Sequence, residues 1–385
     1  MAVAWGVLAL GGCTSPSEDS STPWSWDLPS YVPTPQIPAD NPMTVEKVTL
    51  GRWLFHDFQL SADGDRSCAI CHEQAKGFTD GFVRAVGTYN DVHPRNTLSV
   101  INVAWRGPLG WRSPDQDRLE EQLLIPLLGS DPIVEMGMHE PLLLERLAST
   151  EPYPELFEEA FPGEPEPVSL DNAARAIASY ERTIVSFGSP YDRALAGDPD
   201  AMSPAAQRGQ ALFQSERLGC FRCHSGPLLD RPLLDDGRVG EQPGYFNTGL
   251  YDIDGQGSYP PEETGLHALT GLREDMGRVR TPSLRNVALT GPWGHDGSFA
   301  SLGDVIEAYA RGGRKLHSGR YAGDGAQSPV KDPRITGFSL TDPEQEELLA
   351  FLAALTDDEL LTDLRYVDPR CFDSDYEALI CPESE

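Results

Sequence analysis

Basic charge is what this chain has least of. Against 60 Asp and Glu stand only 30 Lys and Arg, a formal net charge of −30. Nucleic acid needs a basic face to meet its phosphates, so it is excluded as a partner. Anionic lipid is disfavoured for the same reason. A partner that docks through charge should itself carry a basic patch. Long apolar runs are also missing. After the N-terminus no stretch is apolar over the roughly 20 residues that a membrane helix needs. Strand signals are sparse, and 37 Gly and 33 Pro crowd the connections. Apolar residues still make up 39% of the 385, which fills real cores and argues against wholesale disorder. The length allows two or three domains.

The N-terminus reads as a targeting segment. Val3 to Leu10 is mostly apolar but too short to span a bilayer. Leu10-Gly11-Gly12-Cys13 has the form of a lipobox, in which Cys13 is lipidated after cleavage. A plain signal peptide is the alternative. The segment lacks the Lys or Arg of an n-region, which fits a true start further upstream. Either reading sends the protein to the periplasm or cell envelope, and the first anchors it there through Cys13. Ser15 to Pro42 is rich in Ser and Pro and reads as a tether.

Cysteine is scarce, and its seven copies sort by position. Cys13 belongs to the lipobox. Cys68 and Cys71 form one pair, Cys220 and Cys223 another. Cys371 and Cys381 remain in a polar C-terminal tail, where a disulfide is expected outside the cytoplasm and two unpaired thiols are the alternative.

Two units follow one plan: a leading amphipathic helix, a Cys-x-x-Cys-His, a long irregular stretch and a closing helix. In the first unit Leu50, Trp53 and Leu54 mark the leading helix, and Ala173, Ile177, Tyr180 and Ile184 the closing one. In the second, Ser203 caps a helix with Pro204 at N1, and Ala205, Gly209, Leu212 and Phe213 form its stripe. The last helix starts at Thr341 or Asp342 with Pro343 at N1, and Leu348, Phe351, Leu352 and Leu355 make its buried face. The fold class expected is mainly α, with two cytochrome c-like haem domains and long irregular loops. The divisions are 1–13 (leader), 14–42 (tether), 43–190 (first haem domain), 191–357 (second haem domain) and 358–385 (acidic tail).

The haem assignment rests on Cys68-Ala69-Ile70-Cys71-His72 and Cys220-Phe221-Arg222-Cys223-His224. Two thiols on one helical turn can each add to a haem vinyl group, and the adjoining His can bind the iron. By composition a single match arises by chance roughly 0.003 times in such a chain. Zinc would want four ligands close together, and a redox dithiol has no need of the His. Two covalent haems c, held by Cys68, Cys71, His72, Cys220, Cys223 and His224, are therefore expected.

From about Lys47 to Asp357 the chain resembles the bacterial di-haem cytochrome c peroxidase and MauG superfamily. The resemblance is carried by Leu54-Phe55-His56-Asp57, Pro94-Arg95-Asn96-Thr97, Leu119-Glu120-Glu121-Gln122 and Val134-Glu135-Met136-Gly137. In the second half it is carried by Thr281-Pro282-Ser283-Leu284-Arg285-Asn286 and His295-Asp296-Gly297-Ser298. Phe246-Asn247-Thr248-Gly249-Leu250-Tyr251, Asp275-Met276-Gly277-Arg278 and Tyr309-Ala310-Arg311-Gly312-Gly313 bring it nearest to the methanobactin-associated (MbnH) subgroup.

The resemblance implies a first, peroxidatic haem with Glu135 as acid–base catalyst, Gln122 as distal hydrogen-bond donor and Pro126 as distal wall. A surface carboxylate is the bland reading of Glu135. Thr88 stands where ordinary members carry a distal His, and His93 is out of register, a surface residue. The first haem is therefore expected open at rest. Trp111 falls between the haems as an electron relay, or as a plain core Trp. Asn96, Thr290 and Pro292 match a calcium site between the haems; a buried hydrogen-bonded Asn is the alternative. Tyr309 falls in the register of the second haem's sixth ligand, with Met276 its rival.

The activity implied is hydrogen peroxide-driven oxidation of a partner-protein side chain through a high-valent di-haem state. In the subgroup that side chain is a Trp of a small exported copper-binding protein. The alternatives are an ordinary peroxidase fed by a small cytochrome or cupredoxin, and a non-catalytic electron carrier.

Overall fold

Helix starts in both halves follow local signals. The computed structural model describes residues 21–234 and 236–371; the Cys13 lipobox and Cys381 lie outside them. Thr44 accepts from the Lys47 amide and opens the Val45–Phe55 helix. Ser169 caps Leu170–Arg182, Ser203 caps Pro204–Phe213, and Thr341 forms a capping box with Glu344 to open Asp342–Ala353. Each cap satisfies amides that a helix start leaves unpaired. Pro343 is the second helical residue, not the first. First-turn amides have no helical partner, so the shift costs nothing.

In each half the leading and closing helices cross at a glycine. A Cβ on Gly51 would stand 2.0 Å from the Ala176 carbonyl oxygen, and one on Gly209 1.9 Å from that of Glu347. Backbones this close admit no side chain at the crossing. Leu50, Leu54, Ala173, Ile177, Tyr180 and Ile184 pack around the first crossing. Phe213, Leu348, Phe351, Leu352 and Leu355 pack around the second. The alanine buried beside Gly209 is Ala206, one place along from the expected Ala205. Extended structure among the described residues is two short antiparallel pairs, Tyr245–Phe246 with Val279–Arg280 and Lys315–Leu316 with Gly323–Asp324. No described helix is long and apolar enough to cross a membrane.

Two segments correct the sequence reading. Residues 22–42 were expected as part of a tether, yet they lie strapped along the body. Pro23 bridges to Thr44. The Trp105 indole N–H donates to the Pro33 carbonyl at 2.7 Å, and the Tyr31 hydroxyl donates to Asp192 at 2.8 Å. Asn41 is fully buried, with its amide on Glu120 at 2.8 Å. A Ser- and Pro-rich composition excludes helix and strand, but the interspersed Leu28, Tyr31 and Val32 still bury against Phe187 and Leu228.

The segment from Asp358 to Cys371, expected as part of an acidic tail, folds back onto the first half. Leu360 and Tyr366 join its core. Arg52 Nε donates to the Val367 carbonyl at 2.8 Å, and the Tyr366 hydroxyl to that of Thr183 at 2.7 Å. Charge at the surface of this segment masks the apolar residues between. Cys371 is disulfide-bonded; its expected partner, Cys381, lies outside the described residues.

Candidate active site

Each Cys-x-x-Cys-His sits on a single helical turn followed by a tight loop. Cys68–Cys71 is one α-turn and Cys220–Arg222 one 3-10 turn. The His72 amide donates back to the Cys68 carbonyl at 2.8 Å, and the His224 amide to that of Cys220 at 3.0 Å. His72 Nδ1 lies 3.1 Å from the Phe78 carbonyl oxygen, and His224 Nδ1 2.8 Å from that of Leu229. With the proton on Nδ1 bonded to a carbonyl, Nε2 keeps its lone pair for a metal. Burial lowers both imidazoles below their ordinary range, so both are neutral, as ligands must be.

Phe78 and Leu229, which supply the two carbonyls, are both left-handed, at φ 59° and 54°. Bulky residues rarely accept that conformation. Its occurrence at the same place in both loops ties the strain to orienting the two histidines. Sequence reasoning missed both residues, since nothing in Phe or Leu advertises a left-handed turn.

The candidate catalytic residues of the first half converge by backbone pairing. The Met136 amide donates to the Pro126 carbonyl at 3.0 Å, and the Met138 amide to that of Leu127 at 3.0 Å. Glu135 is thereby held against the Leu124–Leu128 helix. Gln122 ends the preceding turn, Leu119–Gln122, with Leu123 between it and that helix. The Thr88 amide donates to the Glu135 carbonyl at 2.8 Å. Burial, then the Asp80 and Glu135 carboxylates, push the Cys71 thiol up to about 12. Burial raises Glu135 above the ordinary carboxylate range, partly offset by Arg95.

Thr88, in the distal-His register, is buried and donates its hydroxyl to Asp65 at 2.6 Å. His93 is half-buried rather than on the surface, and Nδ1 accepts the Arg95 amide at 3.0 Å. Arg95 itself pairs with Glu263 of the second half at 2.7 Å, both side chains nearly buried. That link spans 168 positions, and no local pattern announces it.

Trp111 bridges the halves. Its indole N–H donates to the Asn96 carbonyl at 2.9 Å, and its ring meets the His295 ring edge-on at 6.3 Å. Asn96 is buried. Its side-chain N–H donates to the Phe82 carbonyl at 2.8 Å, and its backbone N–H to that of His295 at 2.8 Å. Among the described residues no hydrogen bond reaches Asn96 Oδ1 or the carbonyls of Thr290 and Pro292. All three are hard oxygen atoms, the donor type that calcium takes.

Tyr309 lies on the Leu302–Arg311 helix. Burial, then Cys223 and Cys220, raise its phenol well above the ordinary range. Met276 sits in the Gly265–Arg278 loop, where its carbonyl accepts the Asn247 amide at 2.7 Å.

A mainly helical chain with two such His-oriented Cys-x-x-Cys-His loops is a di-haem c-type protein. More closely, it belongs to the di-haem cytochrome c peroxidase and MauG family, an oxidoreductase carrying two haems c. Residues 45–200 match the di-haem cytochrome c peroxidase family. The methylamine utilization protein MauG of Methylorubrum extorquens is 33% identical over 92% of this chain and 94% of its own. The cytochrome c551 peroxidase of Pseudomonas aeruginosa is 34% identical over 69% of this chain and 72% of its own. A crystal structure of a MauG-like protein associated with microbial copper homeostasis covers 90% of this chain and 99% of that one. Its TM-score is 0.86 and its identity 43%.

Proposed function

We propose that this enzyme uses hydrogen peroxide to oxidise a side chain, a Trp, of a small exported copper-binding partner protein. The observation that carries the reading is Tyr309, a phenol on the Leu302–Arg311 helix in the register of the second haem's sixth ligand. Burial keeps that phenol protonated in the bare chain, and iron, as a strong local cation, would draw the proton off. An anionic oxygen ligand stabilises oxidised iron, whereas Met would raise the potential. A haem so held accepts electrons poorly from a small carrier. The association of the 43%-identical MauG-like structure with copper homeostasis supports a copper-binding partner.

Bound at Cys68, Cys71 and His72, a haem would supply the iron chemistry that reduces peroxide. Glu135 moves the proton: it takes one from the inner peroxide oxygen and delivers it to the outer, leaving one. Gln122 would donate a hydrogen bond to hydrogen peroxide in the pocket, and Pro126 would wall the site against water. Cys220, Cys223, His224 and Tyr309 hold the second haem. Trp111, bonded to Asn96 and beside His295, carries electrons between the two domains, 43–190 and 191–357. A calcium ion on Asn96 Oδ1 and the Thr290 and Pro292 carbonyls ties these domains together. The acidic chain meets a basic face on its partner, in the periplasm, held to the membrane through Cys13.

Tyr309→Phe tests the ligand. Electron paramagnetic resonance of the wild type should show a six-coordinate low-spin haem beside a five-coordinate high-spin one, and the variant should lose the low-spin signal. An unchanged low-spin signal would transfer the role to Met276. Tyr309→Met should raise the second haem's potential and favour a small electron donor, as in an ordinary peroxidase.

A further inference from the structure

Two strings that the chemistry above leaves unused meet in space: Tyr251, closing Phe246–Tyr251, and Asp296 of His295–Ser298. The Tyr251 hydroxyl donates to Asp296 Oδ2 at 2.6 Å. Asp296 is 7% exposed. The Arg314 guanidinium lies 4.4 Å from the centre of the Tyr251 ring and 3.7 Å from Asp296. Next to Asp296 in sequence, His295 is 5% exposed, has an unpartnered Nε2, and packs its ring 6.3 Å from Trp111. On the other side the Tyr321 ring lies 6.1 Å from that of Tyr251 and reaches the half-exposed surface.

We infer that Tyr251 is a redox relay, giving up one electron towards Trp111 and its phenolic proton to Asp296, with Tyr321 the outer step. The inference rests on the peroxide-driven reading above. An oxidised phenol is a very strong acid, so its electron leaves readily only where a base already holds the proton. Asp296 is that base. Against burial, which raises it, His295 and the Tyr251 hydroxyl hold its carboxyl below the ordinary range, so it is ionised and ready to accept. The balance closes. Peroxide takes two electrons and two protons to become two waters; the partner side chain is the net donor, losing two electrons and two protons, and Tyr251 passes the electrons on one at a time. A neutral phenoxyl and a protonated Asp296 remain. An electron from Tyr321 or from the partner side chain then restores the phenol, and the proton returns from Asp296. A tyrosine kept only for packing would need no carboxylate on its hydroxyl, and that carboxylate belongs to the chain neighbour of His295, whose ring meets Trp111.

The test uses the di-haem holoenzyme, hydrogen peroxide alone, and freeze-quenched electron paramagnetic resonance. Growth on ring-deuterated tyrosine identifies any tyrosyl signal by its narrowing. The wild type should give such a signal, Tyr251→Phe should abolish it, and Tyr321→Phe should keep it. Asp296→Asn should slow its appearance while the haem spectra respond to peroxide at the wild-type rate, which guards against misfolding in the Phe variant. A tyrosyl signal that survives in Tyr251→Phe, or a wild type with none although its haems respond, overturns the relay alone. Haem spectra unmoved by peroxide overturn the relay together with the reading beneath it.

Discussion

At Glu135 two effects oppose each other, and burial outweighs the nearby Arg95. In the proposed role the carboxylate is the form that takes the first proton from peroxide. It is lost as pH falls through a pKa lying above the ordinary value of about 4.3. The rate of the peroxide reaction should therefore drop on the acid side at a pH higher than an exposed Glu would give. Stopped-flow measurement should find Glu135→Gln about 10² to 10⁴ slower, with that acid limb gone. A variant as fast as wild type would remove Glu135 from the chemistry. At this scale the sequence was readable wherever chemistry forces local spacing. Cys68, Cys71 and His72 must share a turn to bind one haem. Arg95 and Glu263 need only meet in space, and the left-handed Phe78 and Leu229 carry no residue-type signal at all.

Among elements, the two glycine crossings decide how the paired helices lie. Ala at Gly209 would gain about 0.5–1 kcal/mol of helix propensity. Its Cβ would stand 1.9 Å from the Glu347 carbonyl, and overpacking of this kind typically costs about 1–3 kcal/mol. The clash wins, so thermal unfolding of Gly209→Ala should come at lower temperature; an equal or higher midpoint would show that the helices part without cost. Arg285 and Asp192 make the tighter joint. The guanidinium Nη1 touches both carboxylate oxygens at 2.6 Å, with the two side chains 1% and 2% exposed. Arg285→Leu leaves Asp192 buried and uncompensated, and denaturant titration should record a loss of about 3–5 kcal/mol. The helices and their caps were legible because Ser, Thr and Pro signal locally. The strap over residues 22–42 was not, because its few apolar side chains find partners that only the folded chain provides.

For the molecule as a whole, the two halves meet where Asn96 and Trp111 contact His295. Removing calcium with a chelator should perturb both haem spectra and lower activity, since Asn96 comes from one half and Thr290 and Pro292 from the other. A protein verified calcium-free with both spectra intact would discard the site. The two-domain plan could be read from the repeated motif order. How the domains lock could not, because Arg95–Glu263 and the Asn96–His295 bond each join residues too far apart for any pattern to link them.

The fold-back of the Asp358–Cys371 segment sets an order of events. Leu360 and Tyr366 complete the core around the first haem motif, and Arg52 reaches a carbonyl 315 positions downstream. Closing a loop of that length is slow and comes late in folding. A chain cut before Asp358 would therefore carry the first haem motif with the core behind it unfinished, since Cys68 and Ala69 pack against the same cluster that Leu360 and Tyr366 complete.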